Sequence, residues 1–298
     1  MSNKRQLFLE ILNNLQPKID FYNKQPRLIR PFLRKKKGLL KIFSIFINKF
    51  FKIKIKKKIK TFWNGDMFVF LNDGDATFLY FFGVLFGDEI NIIKFLIKNL
   101  KENDIFYDIG ANYGFYTLLS QEFITDGEIH AFESNPNIFQ LLKENSRLDI
   151  FKNTFLNKLA LSDKNGEAEF YNLDIKGHSG ASSLIKYDHF KKYEIIKVKT
   201  IKLDNYISNY KPPHLMKLDT EGSENLVLKG GLNLIKKFRP IIIMEFWPDD
   251  NHLEAVKILF ENNYNVYKID ENGDLFEVDK NILLTKNPNC ERNYVFKI

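Results

Sequence analysis

The chain has 298 residues, of which 44% are hydrophobic and 15% aromatic, so it can bury one large core and is not a wholly disordered protein. Cys290 is the only cysteine, which excludes an internal disulfide, a thiolate zinc cluster and a CxxC redox centre, and agrees with a reducing compartment. The histidines never fall at the spacing of a metal-binding helix such as HExxH, so no structural metal site is predicted.

The charge is divided unevenly between two parts of the chain. Residues 1–60 hold 18 of the 45 Lys and Arg but only two acids, Glu10 and Asp20, whereas the remaining residues hold 27 basic and 35 acidic side chains. We therefore predict a basic N-terminal extension over residues 1–60 and an acidic domain over residues 61–298. The two parts need separate interpretations.

The basic extension begins without the continuous apolar stretch of a signal peptide, so we expect it to be retained and the protein to be cytoplasmic. Its most apolar segment, residues 39–51, is too short and too charged to span a bilayer. Three interpretations of residues 34–60 remain open. In the first, these residues are a helix packed on the domain or a solvated arm. In the second, they contact the inner face of an anionic membrane, and in the third, they are an arm that binds nucleic-acid phosphates.

Strands and helices alternate through the rest of the chain. A strand at 67–71 precedes a helix at 89–100, and Asn135 is predicted to cap a helix that begins at Pro136. Further strands are predicted at 105–108, 128–133, 155–161, 215–219 and 241–246, and helices at 115–123, 137–148, 224–237 and 252–262. Antiparallel strands are predicted around Asn272-Gly273. This order predicts an α/β fold, with a doubly wound, mostly parallel sheet and a C-terminal antiparallel hairpin, whose ligands bind beyond the carboxyl ends of the strands.

A glycine-containing turn follows the first strand of the predicted sheet. The strand ends at Asp108, and the turn runs from Gly110 to Gly114 at the start of a helix, where the backbone can approach a ligand. Its G-x-x-x-G spacing matches neither the G-x-G-x-x-G dinucleotide pattern nor a phosphate-binding loop. Glu133 ends the next strand 23 positions after Gly110, close to the offset at which an acid binds a ribose diol. Asp108 and Glu133 together predict an adenosine that carries an amino-acid tail.

Ordered motifs over residues 62–298 resemble the FkbM family of S-adenosylmethionine-dependent methyltransferases, which have the class I methyltransferase fold. The motifs are Asp108-Ile-Gly-Ala-Asn-Tyr-Gly114, Glu133 with Asn135-Pro136, Ala160-Leu-Ser-Asp163 with Gly166, Thr200-Ile-Lys-Leu-Asp204, Lys217-Leu-Asp-Thr-Glu-Gly-Ser-Glu224, and Arg239-Pro240 running into Glu245. Ser134 stands where the family often has proline. The resemblance implies that S-adenosylmethionine is held by Asp108, Gly110, Asn112, Gly114 and Glu133, with Ala160, Ser162 and Asp163 near the adenine.

Methyl transfer to a hydroxyl group needs an acceptor for the hydroxyl proton. Asp219 and Glu221 follow the fourth predicted strand and Glu245 ends the fifth, and each is a candidate for a base, a hydrogen-bond acceptor or a ligand of a divalent metal. His178, in a loop of small residues, is a further candidate base. The alternative is structural, with Asp219 capping the next helix and pairing with Lys217, and His178 exposed without a chemical role.

Three hypotheses of function follow. The resemblance and the basic extension predict an O-methyltransferase that acts on a sugar hydroxyl in a surface glycan or a lipid-linked precursor. The alternative is an RNA methyltransferase whose extension holds phosphates, although the turn after the fourth strand begins at Asp219 and is not the N-P-P-Y-like turn of enzymes that methylate base amines. In the third hypothesis the chain is a membrane-associated module that only binds the cofactor, and Glu221, Glu224 and Glu245 are replaceable without loss of affinity.

Overall fold

The computed structural model describes residues 2–27, 29–147, 150–173, 178–187, 193–285 and 292–298. The strands in these residues are β1 (Lys56–Lys60), β2 (Asp66–Phe70), β3 (Ile105–Ile109), β4 (Glu128–Phe132), β5 (Thr154–Asn157), β6 (Ala160–Leu161), β7 (Gly166–Asn172), β8 (Glu194–Ile201), β9 (Leu215–Leu218), β10 (Ile241–Glu245), β11 (Asn265–Ile269), β12 (Leu275–Glu277) and β13 (Asn293–Lys297). The helices are α1 (Asn3–Lys24), α2 (Arg30–Leu33), α3 (Lys35–Phe51), α4 (Thr77–Phe82), α5 (Glu89–Asn99), α6 (Phe115–Gln121), α7 (Pro136–Asn145), α8 (Leu203–Tyr206), α9 (Glu224–Gly230), α10 (Leu232–Phe238), α11 (Asp250–Glu261) and α12 (Asn281–Leu284).

The central sheet has the strand order β12-β11-β13-β10-β9-β3-β4-β5. The five strands from β10 to β5 run parallel, and β13 lies antiparallel between β10 and β11. Successive residues of β3 enter different cores, since Phe106 packs with α5 and α6 on one face and Tyr107 packs with α8 to α11 on the other. The predicted doubly wound α/β fold with C-terminal antiparallel strands is therefore confirmed.

Two predicted elements are each divided in the structure. The predicted strand at 155–161 leaves the main sheet after Asn157, and Ala160–Leu161 pairs instead with β8 in a separate sheet of order β6-β8-β7. The predicted helix at 224–237 is interrupted at Gly231, whose φ of −121° is not helical. In both places the apolar pattern continues across the break, so the pattern alone does not reveal it. The cap is confirmed, because the side chain of Asn135 accepts hydrogen bonds from the amides of Asn137 and Ile138.

The first helix of the basic extension packs on the domain. Phe8, Leu12, Ile19 and Tyr22 are buried in the same core as α5, and the ring of Phe8 contacts that of Phe123 edge to face. Strand β1 pairs antiparallel with β2, so a strand of the predicted extension joins one of the predicted domain. No helix in the described ranges is both long and apolar enough to cross a bilayer.

Candidate active site

A cleft lies at the carboxyl ends of β3, β4 and β9. Parallel strands bring their carboxyl ends to one edge of the sheet, which is where ligands bind in folds of this class. The small sheet β6-β8-β7 and the loop before residue 188 close its sides. The cleft is lined by Ile109, Gly110, Asn112, Phe132, Glu133, Ser134, Leu159, Ala160, Leu161, Phe170, Ser179, Gly180, Ser182, Leu184, Asp219, Thr220 and Ser223.

The glycine turn is closed by its own hydrogen bonds. The amides of Gly110 and Ala111 both donate to the carbonyl oxygen of Phe132, at 3.0 and 2.9 Å, and the amide of Gly114 donates to Ala111. A Cβ on Gly110, which has a φ of +85°, would lie 1.8 Å from the carbonyl oxygen of Asp219. Gly110 therefore makes room for a neighbouring strand end; it also lines the cleft, and its contact with the cofactor stays a prediction.

Glu133 is held at the edge of the cleft by two backbone amides. Its Oε2 accepts from the amide of Asn112 at 2.9 Å, and its Oε1 accepts from the amide of Asn135 at 2.7 Å. A carboxylate oxygen can accept more than one hydrogen bond, and Glu133 also lines the cleft, so its carboxylate is suited to a diol. The structure therefore brings Glu133 and Asn112 together with a fixed orientation.

Asp108 lies behind the turn and does not line the cleft. It is 2% exposed and accepts a hydrogen bond of 2.6 Å from the hydroxyl of Thr117. Burial raises the pKa of Asp108 to about 6, against the opposing effects of the Thr117 hydrogen bond and the positive charge of Lys217. In this arrangement Asp108 supports the start of α6 and faces the buried Lys217.

The remaining predicted cofactor residues are divided between the cleft and its surroundings. Ala160 lines the cleft, whereas Gly114 caps α6 and packs against Leu142. Ser162 and Asp163 lie outside the lining, where the amide of Ser162 continues the β6-β8 ladder and its hydroxyl contacts Asp163. Apolar residues of the lining such as Phe170 were not predicted, because strand β7 was not recognised in the sequence.

The loop that was predicted to close over the site is anchored on the segment after β2. The amide of Gly180 donates to Asp75 at 2.8 Å, and the hydroxyl of Ser179 donates to Asp73. Tyr113, inside the glycine turn, also donates to Asp73, at 2.5 Å. His178 is exposed and does not line the cleft, and the preceding residues of the loop, 174–177, lie outside the described ranges. A base role for His178 stays a prediction.

Three carboxylates converge beside the cleft. One oxygen each from Asp219, Glu221 and Glu245 lies within 4.8 Å of the others. Asp219 also lines the cleft, so it joins the cofactor side of the site to the acidic side. The structure thus brings together the three acids that the sequence selected from two different strand ends, which is the arrangement of a catalytic or metal-binding centre.

The crowding of the acidic centre favours the protonated forms of Glu221 and Glu245. Burial, together with the charges of Asp219 and Glu224, raises the pKa of Glu245 to about 8. Burial and the charges of Glu245 and Asp219 also raise the pKa of Glu221 well above its ordinary value. Glu245 Oε2 is buried without a hydrogen-bond partner among the described residues. A carboxyl group in this state is suited to proton transfer near neutral pH.

Lys217 is the buried counter-charge of the acidic centre. It is 3% exposed, and its Nζ donates to Asp219 Oδ2 at 2.5 Å. Burial by itself would lower the pKa of Lys217, but the charges of Asp219 and Glu89 outweigh it, so the pKa is raised and the ammonium is retained. The predicted pairing of Lys217 with Asp219 is therefore present in the structure.

Further residues that the sequence did not single out surround the acidic centre; they are Glu89, Tyr116, Tyr187 and His252. Glu89 accepts from the hydroxyl of Tyr116, and burial raises its pKa. His252 lies 3.2 Å from Glu224 and 2.9 Å from Asp249, and its pKa is raised to about 10, because these two acids outweigh its burial. Tyr187 reaches from the loop to the backbone of Gly222. Glu89 and His252 carried the signal of charged groups inside apolar helical stripes, whereas the loop contact carried none.

The residues that line the cleft match the chemistry of S-adenosylmethionine. Glu133 presents a carboxylate acceptor suited to a ribose diol, and Leu161, Phe170 and Leu184 provide apolar walls for an adenine. The amides of the glycine turn are engaged within the protein, so the turn is a poor phosphate cradle. These features agree with a nucleoside that lacks phosphates.

Comparison with known proteins identifies the family. The sequence profile described as methyltransferase FkbM domain matches residues 108–266. Hexuronic acid methyltransferase AglP of Haloferax volcanii is 28% identical over 177 residues, which cover 58% of this chain and 68% of that protein. The crystal structure of methyltransferase FkbM from Methylobacillus flagellatus aligns with a TM-score of 0.43 at 15% identity, over 66% of this chain and 44% of that chain. Because the matched profile spans more than half of its residues, the chain belongs to the FkbM family of S-adenosylmethionine-dependent methyltransferases.

Proposed function

We propose that this methyltransferase transfers the methyl group to a hydroxyl group of a sugar, in a surface glycan or a lipid-linked precursor. The observation that carries the proposal is the convergence of Asp219, Glu221 and Glu245 within 4.8 Å, directly beside a cleft that fits the methyl donor. A hydroxyl is a weak nucleophile until its proton is removed, and this cluster supplies an acceptor for that proton. The name of the relative AglP, a hexuronic acid methyltransferase, supports a sugar as the acceptor.

The cofactor side of the site is formed by Glu133, Asn112 and Ala160. Glu133 would accept from the ribose hydroxyls, and Ala160 would lie against the adenine. S-adenosylmethionine supplies a methyl group that is strongly electrophilic because it is bonded to a positively charged sulfur. Asp219 borders both sides of the site and would orient the acceptor hydroxyl toward the cleft, while the hydrogen bond from Lys217 holds the Asp219 carboxylate in place.

We assign the base to Glu245. It ends β10 in the acidic centre, its Oε2 has no partner among the described residues, and its pKa of about 8 suits proton transfer near neutral pH. His178 is the weaker candidate, because it is exposed and lies outside the cleft lining. Replacing His178 by Ala is expected to leave turnover unchanged.

A divalent cation is the second candidate for this cluster. Carboxylate oxygens from Asp219, Glu221 and Glu245 match the ligand chemistry of Mg²⁺ or Mn²⁺, and a cation would relieve the repulsion that raises the pKa values of Glu221 and Glu245. Such a cation would orient the acceptor and lower the pKa of its hydroxyl. Turnover after exhaustive EDTA treatment separates the two assignments.

The acceptor class is tested with labelled S-adenosylmethionine and three acceptor fractions: glycans that contain hexuronic acids, neutral glycans, and RNA. The proposal expects label in a glycan fraction and none in RNA. Transfer confined to RNA would sink the proposal and revive the alternative that the basic extension holds phosphates. Binding of the cofactor without transfer to any fraction, and unaffected by replacement of Glu221 and Glu245, would favour the hypothesis of a cofactor-binding module.

The methylated group is tested by the stability of the product. A hexuronic acid offers both hydroxyl groups and a carboxylate, and only a hydroxyl needs a base to become nucleophilic. Methyl transfer to a hydroxyl gives an ether that survives mild alkali, whereas transfer to a carboxylate gives an ester that is hydrolysed. We expect the label to survive. Release of the label as methanol would show that the methyl group had been transferred to a carboxylate. That result would still agree with a sugar acceptor but would overturn the assignment of a hydroxyl.

A further inference from the structure

Helix α3 presents its apolar face to solvent and its polar face to the domain. Gly38, Lys41 and Ser44 are the buried residues of this helix. Lys41 donates from its buried Nζ to the carbonyl oxygen of Asp73 at 2.5 Å, and Ser44 bonds to the helix backbone. A helix that stabilised only the core would have the opposite orientation, because apolar side chains gain by leaving water.

The outward face of α3 is strongly apolar. Leu39, Ile42, Phe43, Phe46 and Phe50 recur at helical spacing, and between 39% and 61% of each side chain is exposed. Eleven of the 21 exposed large apolar residues in the described ranges lie within residues 29–53, so exposed apolar side chains are concentrated in this segment. We call this set the outward apolar face; it consists of Ile29, Phe32, Leu33, Leu39, Ile42, Phe43, Ile45, Phe46, Phe50, Phe51 and Ile53.

The surroundings of this face are mainly basic. Residues 29–60 contain 13 Lys and Arg and no Asp or Glu. The lining of a groove beside α3 includes five lysines, which are Lys36, Lys37, Lys57, Lys58 and Lys60, and one acid, Asp66, which pairs with Lys58 and Lys60. A second copy of the chain docked through the same face would bring two such charge clusters together, which is unfavourable. An anionic lipid surface supplies both the apolar interior and the negative charge that this face lacks.

We propose that residues 29–54 dock this methyltransferase on an anionic bilayer surface. Phe43, Phe46 and Phe50 enter the boundary between headgroups and acyl chains, and the surrounding lysines contact lipid phosphates. The helix lies in the plane of the membrane, because it has neither the length nor the apolar composition to cross it.

The docking face is connected to the active site through one residue, Asp73. Lys41 contacts the backbone of Asp73, and the side chain of Asp73 accepts from Tyr113 in the glycine turn and from Ser179 in the cleft lining. The cleft therefore lies close behind the helix that touches the membrane. Docking would hold the open site near the lipid surface.

The test measures co-sedimentation of the full chain with vesicles of phosphatidylcholine alone or mixed with phosphatidylglycerol. We expect binding to the mixed vesicles only, weakened by high salt. The variant Phe43→Ser/Phe46→Ser/Phe50→Ser should bind about a hundredfold more weakly, because three buried aromatic contacts are lost. The matched control Ile195→Ser/Phe238→Ser/Phe276→Ser removes exposed apolar residues elsewhere and should bind as the unmodified chain does.

Far-UV circular dichroism and S-adenosylmethionine affinity check that both variants are folded, and neither measurement depends on the acceptor. Absence of binding to the mixed vesicles, equal binding to neutral vesicles, or undiminished binding of the Phe variant would each overturn the proposal. If the unmodified chain does not bind vesicles but sediments as a dimer, and the Phe variant sediments as a monomer, the face would be assigned to contact with a second copy of the chain.

Discussion

The backbone of Gly110 packs directly against the carbonyl oxygen of Asp219, so closely that a Cβ on Gly110 would lie 1.8 Å from that oxygen. The amide of Asp219 also donates to the carbonyl of Ile109 at 3.0 Å. This contact joins the cofactor turn to the first residue of the acidic centre. The distance between the two halves of the site therefore depends on the absence of one side chain.

Replacing Gly110 by Ala should weaken cofactor binding and stability together. The φ of +85° already disfavours Ala, and the clash with Asp219 must move one strand end. We expect the affinity for S-adenosylmethionine, measured by calorimetry, to fall about 5- to 150-fold, for a displacement that costs about 1–3 kcal/mol. Gly87→Ala is the control, because Gly87 has a φ of +64° but open space around it. Equal affinities for the two variants would contradict the importance of this contact.

Replacing Glu133 by Gln should lower cofactor affinity without unfolding the chain. The amide keeps the shape of the side chain but loses the charged acceptor, and one of the two backbone amides loses its partner. Loss of a charge-assisted hydrogen bond costs about 1.5–3 kcal/mol, which is about 10- to 150-fold in the dissociation constant. Glu128→Gln changes the same residue type at the opposite end of β4 and should leave the affinity unaltered.

The turnover of the unmodified enzyme should rise with pH and level off above about pH 8. Only the ionised form of Glu245 accepts a proton, and its pKa is raised to about 8, so each unit of pH below that value removes about nine-tenths of the active form. Glu245→Gln should reduce kcat by about 10²- to 10⁴-fold and abolish this dependence. An unchanged pH profile in Glu245→Gln would assign the base to another group.

The same substitution should stabilise the fold in alkaline solution. A carboxyl whose pKa is raised on folding contributes fully to stability at a pH below its ordinary pKa of 4.5. This contribution is lost as the pH rises through the pKa of the folded state, about 8. Gln carries no charge at any pH. The melting temperature of Glu245→Gln should therefore exceed that of the unmodified chain at pH 9 and equal it near pH 4, a comparison that differential scanning calorimetry provides.

Replacing Lys217 by Met should destabilise the protein strongly at neutral pH. The buried ammonium balances Asp219, Glu89 and Asp108, and loss of one partner of a buried ion pair costs about 3–5 kcal/mol. Urea unfolding should show a smaller cost near pH 5, where Asp108, with its pKa raised to about 6, takes up a proton. Lys229→Met, which breaks the more exposed pair with Glu254, should cost no more than about 1 kcal/mol. Similar costs for the two variants would show that Lys217 is not a buried counter-charge.

Activity measured after EDTA treatment should distinguish the two roles of the acidic cluster. With Glu245 as the base, the treated enzyme retains full turnover, and added Mg²⁺ or Mn²⁺ has no effect. Turnover that disappears on chelation and returns with either cation would show that Asp219, Glu221 and Glu245 bind a metal. Binding of S-adenosylmethionine, followed in the same samples, controls for damage to the fold.

Local patterns in the sequence were sufficient for the α/β fold and for the strand ends that carry the site. Alternating apolar segments identified β3, β4, β9 and β10, and acids at their carboxyl ends identified Glu133, Asp219 and Glu245. These predictions succeeded because parallel strands in a wound sheet all end at the same edge, so a position along the chain translates directly into a position in space.

The tertiary structure decided which of these residues face the ligand. Asp108 and Glu133 both stand at strand ends, yet Asp108 is buried against Thr117 and Lys217, and Glu133 faces the cleft. The sequence likewise did not reveal the contact between Gly110 and Asp219. It revealed the apolar segment of α3 but not that the apolar side of this helix faces solvent. The physical reason is that periodicity defines the faces of a helix or strand, whereas the choice of which face is covered depends on contacts between residues far apart in the chain.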